Sequence, residues 1–154
     1  ESLEIITGLW AGHPFSYRGK HHSVDTDGLA TPKPPPPVQQ PRIPIWVVGA
    51  WNRPQSMRRA IKYDGIIPNV LEDGSHVAVT PDHVAEMTAH IHTVRPDPID
   101  VIVEGSTSPA STDDRARLAG WATAGATWWL ETMWNVMDDA SQVMDRIAAG
   151  PTRG

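Results

Sequence analysis

Four apolar runs of strand length recur between residues 43 and 147, each followed by residues spaced as on one face of a helix. That alternation leaves few architectures open. The runs are 43–49 (IPIWVVG), 64–68 (DGIIP), 99–104 (IDVIVE) and 126–131 (ATWWLE). The first is continuous and bounded by proline and glycine, as expected of a strand covered on both faces. The partner helices are expected over 55–63, from Thr80 and Pro81 onward, from Ser111 onward and up to Gly150–Pro151. Their apolar stripes are Val84, Met87, Ile91 and Val94; Leu118 and Trp121; and Val136, Ala140, Val143 and Ile147. Ser111 with Asp114 resembles a capping box.

Strands alternating with helices imply a parallel sheet with right-handed crossovers. An open doubly wound sheet and a (β/α)8 barrel both fit. Four units make half a barrel, which alone would expose its inner face and two unpaired edges. The fold class expected is α/β: the C-terminal half of a (β/α)8 TIM barrel, four parallel strand–helix units preceded by a helix and a small β-hairpin insertion. Leu3, Ile6 and Trp10 mark that leading helix, which begins without a visible cap. Glu1 therefore reads as lying inside a longer protein, with residues 1–154 forming a partial domain whose N-terminal half is missing. The hairpin is expected from residues 15–17 and 21–24, flanking Arg18–Gly19. Residues 31–44 hold seven prolines. Residues 31–42 are read as a Pro-rich surface connection, with a polyproline ligand as the alternative.

Composition removes several function classes. The net charge is −5, which gives no basic footprint for nucleic acid. There is no cysteine, so disulfides, thiolate metal sites and cysteine nucleophiles are excluded. Its absence fits a reducing cytosol, and a cytoplasmic location is expected. No apolar run is long enough to span a membrane. The seven histidines invite a metal. However, His21 and His22 point to opposite strand faces, His90 and His92 diverge on a helix, and His83 and His90 stand two turns apart, so no metal site is expected. Dinucleotide, GxSxG and P-loop fingerprints do not occur.

In parallel α/β folds, ligands sit at the carboxyl ends of strands. The first such end is Gly49–Ala50–Trp51–Asn52–Arg53–Pro54–Gln55–Ser56. Gly49 permits close approach to the backbone. Asn52 suits a helix cap and Pro54 a first turn. Arg53 and Ser56 with free helix N–H groups favour a phosphate or carboxylate; an ordinary capped helix is the plain alternative. Arg58 and Arg59 read as exposed helix-face residues, with a place in the same site as the alternative. Glu104 and Glu131 end strands, as acid–base groups or as loop anchors. One ring of Trp128–Trp129 should face the barrel and the other the helices, with Trp121 and Trp134 packed around them.

The segments LEIITGLWAGHPFSYRGKHHSV, PPPPVQQPRIPIWVVGAWNRPQSMRRAIKYDGIIP and GATWWLE together resemble the luciferase-like monooxygenase family, over nearly the whole chain as that family's second half. The family includes bacterial luciferases, alkanesulfonate monooxygenases and deazaflavin-dependent oxidoreductases. The resemblance implies a (β/α)8 barrel that binds FMN or a deazaflavin coenzyme at its carboxyl-end mouth and acts as an oxidoreductase or monooxygenase on a small organic substrate. Carried over by position, Gly49, Asn52, Arg53 and Ser56 would contact the cofactor phosphate, with Trp51 flanking the loop. The strands that would meet the flavin ring are missing from this chain. No catalytic residue therefore transfers, and the isolated chain is expected to be inactive. A full-length homodimer is expected. The competing readings are a non-catalytic half barrel that dimerises around a phosphorylated ligand, and a truncated remnant.

Overall fold

A computed structural model describes residues 1–12, 14–27, 35, 37–134 and 139–152. Two compact units follow one another, Glu1–Pro44 and Ile45–Gly154. In the first, helix α1 (Ser2–Trp10) precedes strands β1 (Ser16–Arg18) and β2 (Ser23–Asp25). The strands pair antiparallel, with Arg18 opposite Ser23. The turn is therefore at 19–22, closed by Gly19 N–H donating to the His22 carbonyl at 2.8 Å, rather than at Arg18–Gly19. Glu1 lies at the start of α1 without capping it. Its carboxylate instead accepts the N–H groups of Lys20, His21 and His22 at 2.7, 2.9 and 3.0 Å, tying the helix start to the hairpin turn. Of the expected Pro-rich connection 31–42, residues 31–34 and 36 lie outside the described residues.

The second unit carries the repeating strands and helices. Strands β3 (Trp46–Trp51), β4 (Gly65–Glu72), β6 (Asp100–Gly105) and β7 (Trp128–Glu131) are parallel neighbours in that order. Helices α2 (Pro54–Ala60), α3 (Pro81–Val94), α4 (Thr112–Thr123) and α5 (Ala140–Ala148) follow β3, β4, β6 and β7 in turn, with a short strand between β4 and α3. The α3 start is a full capping box, with the Thr80 hydroxyl on His83 N–H and the His83 ring on Thr80 N–H. The Ser111 hydroxyl caps α4 by accepting from Asp114 N–H. The Asp114 carboxylate accepts Ser108 N–H, so the reciprocal half of the expected capping box is not made.

Several boundaries differ from the sequence expectation. The first strand starts at Trp46 and runs through Trp51, because Ala50 and Trp51 still pair with Asn69 and Val70. Ile45 N–H is held by the Asp64 carboxylate at 2.7 Å. The second strand extends to Glu72 and doubles back through β5 (Ser75–Val77), which the sequence reading omitted. Asp73 and Gly74 both adopt positive φ, 49° and 83°, the geometry of a tight hairpin turn that an Asp-Gly pair favours.

In-register neighbours of a parallel pair share a sheet face, so the pairing sorts the side chains. One face carries Val47, Gly49, Ile66, Val70, Val101 and Val103, all buried, and packs with Met57, Ala60, Val84, Met87 and Ile91 of α2 and α3. Val94, expected in that stripe, is 57% exposed at the last turn of α3. On the other face Trp46 and Trp128 meet with ring centroids 5.4 Å apart beside fully buried Ile102. Trp46 Nε1–H donates to Asp100 at 3.1 Å. That face leaves Val48, Trp128 and Leu130 exposed. Trp129 points to the opposite side, where the Arg117 guanidinium lies 5.3 Å from its ring centroid. Trp134 is exposed, in contrast to its expected packing on the tryptophan pair. In the last helix Val143 is half-buried and Ile147 exposed; Val136 lies outside the described residues.

A Cβ on Gly49 would fall 2.3 Å from Ile66 Cδ1 and 3.3 Å from Ala60 Cβ. Gly49→Ala should therefore cost about 1–3 kcal/mol through overpacking. Gly120, inside α4, has nothing within 4 Å of its Cβ position, and Gly120→Ala should gain up to about 1 kcal/mol of helix propensity. Opposite shifts in the urea midpoint are expected; a neutral Gly49→Ala would contradict this packing.

Candidate functional site

The carboxyl end of β3 turns into α2 within two residues. Arg53 precedes Pro54 and is held extended at φ −117°, ψ 95°, as the ring of a following proline requires. The chain reaches that conformation through Asn52, which adopts the left-handed region at φ 67° that asparagine tolerates. Arg53 N–H donates to the Ala50 carbonyl at 3.1 Å and closes the turn. Ala50 N–H donates to Ser56 Oγ at 3.0 Å, so the serine ties the first turn of α2 back to the strand.

Asn52 is not the helix cap that the sequence suggests. Arg53 holds that position, and no side chain caps α2. Pro54, at the first helical position, has no N–H. The next backbone donors, on Gln55 and Ser56, start the helix without a side-chain acceptor. The Ser56 oxygen is used as an acceptor, which leaves its own O–H as a donor. The Arg53 guanidinium makes no ion pair or hydrogen bond among the described residues.

The five candidate residues do not share one surface. Asn52 and Arg53 form the turn and Ser56 braces it. Gly49 lies inside the strand on the buried face, where its missing Cβ admits Ile66 and Ala60. Trp51 is the last strand residue, on the same face as Gly49, and its ring meets the His90 ring edge-on at 5.7 Å. Behind the turn lies a cavity of about 510 Å³ between α2 and α3. Trp51, Asn52 and Arg53 line it from the turn, Met57 and Arg58 from α2 with Ile61 at its C-cap, and His90 and Val94 from α3. Arg58 and His90 were not joined by the sequence reading. Their one shared signal is helical spacing, Pro54–Met57–Arg58–Ile61 on one helix and His90–Val94 on the other.

At the other strand ends, the two glutamates separate. Glu104 stands exposed on the sheet face of Ile102 and has no hydrogen-bond partner among the described residues. Asn69 Oδ1 and His76 Nδ1 are 3.0 Å apart near the same end of the sheet. Glu131 is an anchor. It accepts Thr107 N–H at 2.5 Å, Thr107 Oγ1–H at 2.7 Å and Trp129 Nε1–H at 3.1 Å, and pairs with Arg146 at 3.0 Å. Arg146 also donates to the Thr107 carbonyl. The cluster fixes the loop after β6 and the C-terminal end of α5 to the end of β7. Among the described residues, no group of three or more His, Asp or Glu side chains is placed to hold a metal ion. No described helix is long and apolar enough to cross a membrane.

Compared with known proteins, the chain matches the family described as luciferase-like monooxygenase over residues 1–151. No curated protein and no solved structure gives a significant match.

Burial raises the Glu131 carboxyl, but the hydrogen bonds from Thr107, Trp129 and Arg146 outweigh it and hold the group below its ordinary value of 4.5. A depressed carboxyl stabilises the fold above its unfolded-state value, and that contribution is lost as pH falls through the folded value. The stability gap between the native chain and Glu131→Gln should therefore be full at neutral pH and close on acidification below 4.5. Urea midpoints at both ends of that range check it; a gap independent of pH would remove the ionic role of Glu131.

Proposed function

The chain belongs to the luciferase-like monooxygenase family, and on that premise we propose that it is the cofactor-anchoring, C-terminal half of a (β/α)8-barrel oxidoreductase working with FMN or a deazaflavin coenzyme. The strand order supports the barrel half. The parallel strands are neighbours in chain order, with no reversal of the kind at which doubly wound sheets bind their ligands. The exposed Val48, Trp128 and Leu130 on one sheet face support a missing cover over that face, as the inner layer of a barrel requires.

One observation carries the site: the α2 start has no side-chain cap, an extended Arg53 at its capping position and no partner for that guanidinium among the described residues. These donors fit a phosphate. Arg53 and the N–H groups of Gln55 and Ser56 would hold it, with the Ser56 hydroxyl as a further donor. Asn52 sets the direction of the turn, and Gly49 and Trp51 hold the strand behind it. The cofactor, when bound, supplies the hydride or oxygen chemistry, and the protein supplies orientation and electrostatics. Glu104 stands on the inner sheet face as the carboxylate able to take or give a proton there. The exposed face also supports a second reading, a half barrel that closes by dimerising and binds a phosphorylated ligand without turnover.

The binding test compares FMN with riboflavin, which lacks the phosphate, by absorbance titration of the chain preceded by its upstream coding sequence; the deazaflavin coenzyme is titrated in parallel. Arg53→Ala should weaken FMN about tenfold, the loss expected for one charged hydrogen bond, Ser56→Ala severalfold, and neither should change riboflavin. Unchanged FMN affinity in both variants would sink the phosphate assignment. The 154-residue chain alone should show no flavin-dependent turnover. A compact, stable dimer of that chain in light scattering would favour the second reading.

A further inference from the structure

The cavity between α2 and α3 lies on the helix side of the sheet, behind β3, and is not needed for the cofactor reading. Its floor is apolar and aromatic: Met57 is 4% exposed, and the Trp51 and His90 rings meet edge-on at 5.7 Å. Its rim is cationic. Arg58 projects into it from the i, i+4 position relative to Pro54, and Arg53 borders it at the turn. Neither guanidinium has an ion pair or hydrogen bond among the described residues, and no aspartate or glutamate lines the cavity. Its volume of about 510 Å³ lies within the roughly 300–1,000 Å³ of small-molecule sites.

We propose that this cavity is a second binding site, for a small planar aryl carboxylate. The chemistry follows from the lining. A flat ring finds an indole, an imidazole and a thioether in a cleft between two helices. A carboxylate on that ring meets Arg58, whose planar fork matches it with two parallel hydrogen bonds. The cation excess rejects aryl cations, and the apolar floor disfavours a free inorganic anion. The groove shares Trp51, Asn52 and Arg53 with the cofactor loop, whereas Arg58, Ile61, His90 and Val94 belong to the groove alone.

The probe is 2-naphthoate, titrated into the 154-residue chain and followed by calorimetry and by the indole N–H resonances in NMR. The Trp51 resonance, identified with Trp51→Phe, should move. Arg58→Ala and His90→Ala lie on exposed helix faces and should each weaken 2-naphthoate about tenfold, as loss of a charged hydrogen bond or of a ring contact does. Neutral 2-naphthol should bind weakly to the native chain and be unaffected by Arg58→Ala. FMN affinity of the chain with its upstream sequence should not change in His90→Ala, so failure of this site and failure of the phosphate site give different results. The proposal is overturned by 2-naphthoate affinity that survives both variants, by shifts confined to Trp128 or Trp134 on other surfaces, or by inorganic phosphate competing as well as the aryl acid.

Discussion

Six consecutive in-register pairs join β3 to β4, and that ladder decides which side chains of the two strands face the helices. A slip of one residue would exchange the two faces. With β4 in place, a one-residue slip of β3 would turn Val47 out of the helix layer and bring Val48 into it. The register is held at its lower end by the Asp64 carboxylate on Ile45 N–H and by Ile45 carbonyl accepting from Asp64 and Gly65. It is held above by Gly49, where only hydrogen leaves room for Ile66 and Ala60. The turn that follows inherits its position from this ladder: Ala50 supplies both the carbonyl that Arg53 binds and the N–H that Ser56 accepts.

The sequence made the repeating units legible because each strand is an apolar run between proline, glycine or acidic residues. The helix starts at Thr80 and Ser111 were legible because capping is local chemistry. The β4–β5 hairpin was missed although Asp73–Gly74 is a strong turn signal, because Pro68 made the run look finished; with β5 on its far edge, β4 continues past it. The turn 52–53 was legible as a site, but the roles within it were not. Asn52 turns the chain at φ 67° instead of capping the helix, and Pro54 keeps Arg53 extended at the capping position. Glu104 and Glu131 look alike in sequence, each at a strand end. They differ because alternation sends one to the open face and the other toward Thr107 and Arg146. The cavity behind Trp51 needs side chains from two helices that no local pattern connects.

The unit thus has two polar regions with opposite character. Around Glu131 every donor has its acceptor, and the cluster fastens a loop and a helix to the sheet. Around Arg53 and Arg58 the cations have no partner among the described residues, beside a helix start without a side-chain cap. Saturated polar networks rigidify, whereas unmatched donors at a surface are what an anion recognises.

The short contact between β4 and β6 has a geometric result of its own. They pair only at Gly65–Asp100 and Ile66–Val101, after which β5 takes the edge of β4 that β6 has left. The sheet therefore gains a strand toward its carboxyl end without leaving the upper part of β4 as an open edge. Asn69, His76 and Glu104 stand near that carboxyl end, beside the place where β5 replaces β6.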